Sequence, residues 1–412
     1  MVETMTSSSA TDPAWQGRAD HAAHSVTALF GRKLLFLPGT HLAAVAWNPG
    51  QPAGTWQAAL QRLGSLAGLQ FPWHYWWQAH YVDCLMDAGR RGPGSPLAGS
   101  LASRLLTGIW LRNAFTVVNN YYDDMAWLAL ATLRLDRLAD GTGIPGRRRY
   151  AAVRERLKLE FDAASTDHMG GGVFWSKKRD FKNTPATAPV ALFYARTGQQ
   201  AKAQALVDWL DRTLFDPAQG LYLDGARLNA AGDVQVDRAV YTYNQGPVLG
   251  ALLELGGEAS LARVAEVVEA VNRQLTVPGG GTVLRCDGTG DGGLFTGILC
   301  RYLALAATDT RLPERTRATA ARLVTGTAEA FWSGKRSLGA AEPGGNYPGG
   351  SIFSVHAARP AEETYPRGAA VELSTQLQAW MVLEAAAAVS SGNPGGRSLA
   401  DGGERRDGST LE

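Results

Sequence analysis

Two kinds of helical segment alternate along this chain, and that alternation constrains its fold more than any other feature. The stretch "MAWLALATL" (125–133) is apolar on every face, as a helix covered on both sides must be. The next segment, "RRRYAAVRERLKLEFDAA" (147–164), sets Tyr150, Val153, Leu157 and Phe161 on one stripe with charges opposite, the pattern of a helix with one wet face. Periodicity places helices at 15–31, 73–90, 96–115, 121–139, 147–164, 184–197, 199–213, 241–255, 258–275, 292–308, 312–332 and 368–390, with a weaker one at 55–68. Punctuation agrees: Pro313 opens one helix, Gly198 and Gly256 close two others, and Pro278 with Gly279 follows another. Strand alternation is confined to 220–237, where a turn at 230–232 predicts one short β-hairpin.

About twelve principal helices, buried ones alternating with surface ones, predict an all-α fold. The architecture is an (α/α)6 toroid or barrel, an inner ring inside an outer one. No charge run or Pro-rich linker splits the middle of the chain, so residues 14–390 read as one catalytic domain. Residues 1–13 and the Gly/Ser-rich 391–412 read as disordered tails.

A net charge of +2 without a basic block gives no support to a nucleic-acid partner. No apolar run is long enough for a transmembrane helix, and no secretory signal is visible, so the expected location is cytoplasmic. Cys84, Cys286 and Cys300 are widely spaced and read as reduced, mostly buried thiols. No metal site or cofactor motif is expected: Gly170–Gly172 lack the Lys-Ser/Thr of a phosphate loop, and Asp287 with Asp291 make a poor calcium loop.

The doublet Asp123–Asp124 in "NNYYDDMAWLALATL" (119–133) is the main candidate for chemistry. As ordinary helix-start acids they would follow an Asn119 or Asn120 cap and favour the positive end of the helix dipole. Yet adjacent helix positions point about 100° apart, so both cannot be solvated on one outer face while the following residues are buried. At the mouth of a central cavity both could project into the opening. One would stay ionised and like-charge proximity would hold the other's proton, the split that glycoside hydrolysis requires.

Other segments supply candidate walls. "FPWHYWWQAHYVD" (71–83) offers Trp73, Trp76 and Trp77 on one helical face, interleaved with His74, Gln78 and His80. Aromatic faces beside hydrogen-bonding groups suit a sugar. Trp is also unusually frequent here, equal in number to Tyr and to Phe at 12 each. "HMGGGVFWSKKRDFKN" (168–183) adds Trp175 and Asn183 after a tight Gly turn. "VYTYNQGPVLGALLEL" (240–255) adds Tyr243, Asn244 and Gln245 at a helix start, and Asn119, Asn120 and Tyr122 flank the doublet.

Together "YYDDMAWLALA" (121–131), "GGGVFWSKKRDFKN" (170–183), "YTYNQGPVLGALLEL" (241–255), "GGLFTGILCRYL" (292–303) and "ELSTQLQAW" (372–380) resemble, in order, the motifs of glycoside hydrolase family 76, the endo-α-1,6-mannanases and their relatives. The resemblance implies an (α/α)6 barrel and a retaining mechanism without metal. It assigns Asp123 as nucleophile and Asp124 as general acid/base, with Trp175, Tyr243, Asn244 and Gln245 on the donor side. An α-mannan or manno-oligosaccharide substrate is likewise an implication of the resemblance alone. Residues 30–56 are longer than the family pattern and are expected to cap or narrow the cleft. Three other readings stand beside this one: a sugar epimerase or isomerase, which needs paired histidines facing the cavity; an unsaturated-uronide hydrolase, which needs basic residues there; and a mannan-binding or transglycosylating protein with weak hydrolysis.

Overall fold

A computed structural model describes residues 13–34, 37–47, 73–91, 96–142, 147–339 and 349–392. The described residues hold twelve long helices: α1 (Pro13–Phe30), α2 (Tyr75–Arg91), α3 (Pro96–Arg112), α4 (Tyr122–Thr142), α5 (Arg147–Ala164), α6 (Thr184–Arg196), α7 (Gln200–Thr213), α8 (Thr242–Leu255), α9 (Gly257–Gln274), α10 (Phe295–Thr308), α11 (Glu314–Ser333) and α12 (Leu373–Ser390). A single turn at Ala361–Thr364 precedes α12. The weaker helix expected at 55–68, and the tails at 1–12 and 393–412, lie outside the described residues.

The even-numbered helices form the inner ring. Each packs on the next, α2 on α4, α4 on α6, α6 on α8, α8 on α10 and α10 on α12, and α12 returns to α2. The odd-numbered helices lie outside them, and the whole is the (α/α)6 toroid. Burial follows position. Every residue of α6 is buried, and so is every residue of α12 from Leu373 to Ala387. Outer helices bury one stripe, as α9 does with Val264, Val267, Val268 and Val271. Inner helices approach closely where a side chain is missing: a Cβ on Gly250 of α8 would stand 2.7 Å from the Tyr302 ring of α10.

The short strands sit in connections. The expected hairpin forms as Gly225–Leu228 paired antiparallel with Val234–Asp237, and Lys182–Asn183 adds a third strand beside it. The hairpin is shorter than the 220–237 pattern suggested, because Leu221–Tyr222 pairs instead with Phe215–Asp216. Several helix boundaries also shift, the expected helix 368–390 starting only at Leu373, after the strand Val371–Glu372. Trp73 and His74 precede α2 rather than opening it. Helix α3 stops at Arg112, because Ala114 and Phe115 adopt left-handed backbone (φ 54° and 62°) that a helix cannot continue. Residues 290–294 form a 3-10 turn before α10.

Toward the C-terminal halves of the inner helices the ring is filled by buried ion pairs. Arg134 of α4 and Arg301 of α10 both hold Asp83 and Asp87 of α2; the Arg301–Asp87 contact is 2.7 Å. Arg196 joins α6 to Glu254 of α8 at 2.8 Å. Burial alone would raise the Asp87 carboxyl, but the two guanidinium groups overcome it and hold Asp87 at about 2. The two ends of the toroid therefore differ, one tied shut by charge and the other open.

Candidate active site

The open end is a cavity of about 870 Å³. Five of the six inner helices begin at its wall, contributing Tyr75 and Trp76 (α2), Asp123 and Asp124 (α4), Asn183 at the cap of α6, Tyr243 (α8) and Phe295 (α10). The sixth, α12, contributes no lining residue; its capping residue Glu372 instead accepts a hydrogen bond from the backbone N–H of Gly290 (2.6 Å). Helix N-termini carry partial positive charge, so the opening suits the acids gathered there.

Asp123 and Asp124 lie in the first turn of α4 and both line the cavity. The Trp175 indole N–H donates to Asp123 Oδ2 at 3.0 Å, and the backbone N–H of Asp124 donates to Asp123 Oδ1 at 2.9 Å. Asn119 Nδ2 donates to Asp124 Oδ2 at 2.6 Å. Burial pushes Asp123 up to about 7; its two donors oppose the shift, and the Asp291 charge adds to it. Burial, and then the charge of Asp123, push Asp124 well above the ordinary carboxylate range. The pair is unequal: Asp124 keeps a proton where Asp123 can be ionised.

The backbone makes this geometry stiff. Tyr122 N–H donates to Trp175 C=O (2.8 Å) and Lys177 N–H to Asn120 C=O (2.9 Å), so the strand bearing Trp175 is laced to the segment that starts α4. Behind it, the fully buried Lys182 ammonium donates to the carbonyls of Thr166, His168, Gly171 and Gly172 at 2.6–3.1 Å. The glycine run is needed there, since Gly172 has φ +76° and a Cβ would stand 2.6 Å from the Trp209 ring.

Of the residues expected from sequence, Trp73, Trp76, Asn119, Asn120, Trp175, Asn183 and Tyr243 line the cavity with the two aspartates. Five others do not, and each has structural work. Trp77 is buried and its indole N–H joins that of Trp76 on Asp291 Oδ1, both at 3.0 Å. Gln78 is buried and clasps the backbone N–H and C=O of Ala43. Gln245 does the same for Tyr222. Asn244 is buried and donates to Asp224 (3.3 Å), while Tyr122 packs into the core. The reason is common to all five: side chains one or two helix positions away from the cavity face point into neighbouring elements. His80 is likewise buried between Trp76 and Trp127; burial lowers it to about 3, and neither ring nitrogen has a hydrogen-bond partner among the described residues.

The structure adds lining residues not expected at the site from sequence, among them Asp224, Asp287, Asp291, Tyr241 and Trp127. Burial raises Asp224 to about 6, against the Asn244 hydrogen bond. Asp287 and Asp291 stood out in the Gly-rich segment 285–293 but were weighed only as calcium ligands; Asp224 carried no signal beyond its place in the expected hairpin 220–237. Among the described residues, no group of three or more His, Cys, Asp or Glu side chains is placed to hold a metal ion. No described residue of 31–47 lines the cavity, and the rest of the segment expected to cap it, 48–56, lies outside the described residues.

The sequence model of glycosyl hydrolase family 76 matches residues 55–351, well over half of the chain. No curated protein matches the sequence. Among solved structures the chain is similar to the GH76A α-1,6-mannanase of Salegentibacter sp. HEL1_6, at 27% identity and TM-score 0.72 over 91% of this chain and 99% of that one. An inactive variant of that enzyme, with two consecutive aspartates replaced by asparagine, is known in complex with α-1,6-mannotriose (26% identity, TM-score 0.72, the same coverage). The Lin0763 protein of Listeria innocua shares the fold at 23% identity and TM-score 0.69, over 90% and 97% of the two chains.

Proposed function

Since the chain belongs to glycosyl hydrolase family 76, we propose that it is a retaining glycosidase acting on α-1,6-linked mannan or manno-oligosaccharides through Asp123 and Asp124. The observation that carries this reading is the pair of adjacent carboxylates at the wall of an aromatic cavity, the Asp123 Oδ atoms held by two donors and those of Asp124 by one. Asp123, the more readily ionised, attacks the anomeric carbon as the glycosidic C–O bond breaks. Asp124, holding the proton, delivers it to the departing oxygen. A water then attacks the anomeric carbon, breaking its bond to the Asp123 oxygen, and gives its proton to Asp124, which restores both groups. Trp175 and Asn119 keep the two carboxylates in register. The Salegentibacter enzyme supports the assignment, since replacing two consecutive aspartates inactivates it and Asp123–Asp124 is the one Asp-Asp doublet in this sequence.

The rival readings find less support. No Lys or Arg lines the cavity among the described residues, so nothing there pairs with a uronate. Only one histidine, His74, lines it, whereas an epimerase needs two. The test uses two substrates. Asp123→Asn should abolish turnover of both an α-1,6-manno-oligosaccharide and an aryl α-mannoside with a good leaving group. Asp124→Asn should abolish the first and slow the second at release of the glycosyl-enzyme, with azide restoring the rate of the second as a glycosyl azide of retained configuration. Near-wild-type turnover of the oligosaccharide by either variant, or inverted first products, refutes the reading.

A further inference from the structure

Five aromatic side chains are exposed among the described residues: Trp110, Phe115, Tyr121, Trp175 and Tyr241. Three of them, Tyr121, Trp175 and Tyr241, line the cavity. The other two, Trp110 (39% exposed) and Phe115 (66%), form an edge-to-face pair with centroids 5.0 Å apart. That pair brackets Asn113, which does line the cavity. Water-facing aromatic surface is therefore concentrated at the cavity or next to it, whereas an unselected surface would scatter it.

The backbone between them is built to present the ring. Ala114 and Phe115 both take left-handed conformations that residues with a Cβ occupy at a cost. Asn113 holds the turn by donating from Nδ2 to the carbonyls of Thr116 and Val118, both at 2.9 Å. Folding gains little from this arrangement, because the ring so placed stays mostly in water. Trp73 also lines the cavity, with the Arg112 guanidinium 5.6 Å from its ring centre. The segment 110–115 thus joins the exposed Trp110–Phe115 pair to two points of the cavity wall, directly through Asn113 and through the contact of Arg112 with Trp73.

We infer that Trp110 and Phe115 form a distal subsite that stacks a sugar ring of an α-mannan chain whose scissile bond lies at Asp123–Asp124, so that this pair adds affinity only for chains long enough to reach it. The inference rests on the α-mannan reading of the cavity. A pyranose presents an apolar C–H face that packs on an aromatic ring, and two rings at an angle hold one sugar by a face and an edge.

The experiment compares kcat/KM on α-1,6-mannotriose and on linear α-1,6-mannan for wild type, Trp110→Ala, Phe115→Ala and Phe115→Tyr. Both side chains are exposed, and unchanged thermal midpoints of the variants check that the fold is intact. The two alanine variants should lose about 3- to 10-fold on mannan, through KM, and stay within about 2-fold of wild type on mannotriose. Phe115→Tyr should retain wild-type selectivity. Equal losses on both substrates, or no loss on mannan, overturn the distal subsite while leaving the hydrolase reading in place. A wild-type protein that hydrolyses neither substrate overturns the hydrolase reading, and the subsite with it.

Discussion

Replacing Trp175 by Phe should move the pH dependence of the reaction rather than simply lower its rate. The indole N–H donates to Asp123 Oδ2 at 3.0 Å and helps keep that carboxylate ionised against burial, which drives it up to about 7. A hydrogen bond to a charged acceptor contributes roughly 1.5–3 kcal/mol, and each pKa unit corresponds to about 1.4 kcal/mol, so the full bond is equivalent to about one to two units. Trp175 is 37% exposed, and solvent screening places the effect near the lower end, about one unit. The sign is fixed: losing a donor that favours the anion raises the pKa of Asp123. In the variant the acidic limb of kcat/KM should move up by about one pH unit from its wild-type position, because that limb reports the free enzyme's base. At about pH 6 the variant should then turn over roughly 10-fold more slowly than wild type, with the difference shrinking as both profiles reach their plateau. The assay is initial-rate kinetics on an α-1,6-manno-oligosaccharide from about pH 5 to 9. Phe keeps an aromatic ring at the position, so lost stacking would appear as a pH-independent rise in KM. An unmoved limb, or a loss equal at every pH, refutes the claim that this hydrogen bond sets the ionisation of Asp123.

Three stability predictions concern the packing behind the site. Arg134→Met, which strands Asp83 and Asp87 with half their cationic partners, should destabilise the protein by about 3–5 kcal/mol in urea melts. Asp87 titrates at about 2 when folded, below its ordinary 3.8. Its contribution of about 2 kcal/mol is therefore present above about pH 4 and is lost as pH falls toward 2, a dependence that Asp87→Asn should remove. Lys182→Met should leave the carbonyls around the glycine turn short of donors and cost at least about 2 kcal/mol. The same change should lower kcat more than it raises KM, since the turn leads directly into Trp175; equal stability and activity would show that water replaces the ammonium.

Much of the scaffold was legible because helical burial has a period that a chain writes locally. The all-round apolar "MAWLALATL" belongs to the inner helix α4 and the striped "RRRYAAVRERLKLEFDAA" is the outer helix α5, each as its pattern indicated. Polar residues near the site were harder to interpret. Gln78, Asn244 and Gln245 share helix starts with true lining residues, yet each serves a backbone or side-chain partner in the wall. A polar side chain at a helix start faces a cavity or a neighbour according to a rotation of about 100° per residue, and boundary errors of one or two residues are enough to confuse them.

By itself, then, the order of residues determined the helices, their alternation and the carboxylate doublet, because propensity, periodicity and adjacency are local properties. Only the tertiary structure decided which end of the ring opens and which is tied by Arg134 and Arg301. It also brought Asp224, Asp287 and Asp291, distant in sequence, to the wall that holds Asp123 and Asp124. The inequality of the doublet belongs to that second class. Two identical neighbouring side chains differ in proton affinity only through unlike burial, donors and nearby charge, and those exist once the ring has closed around them.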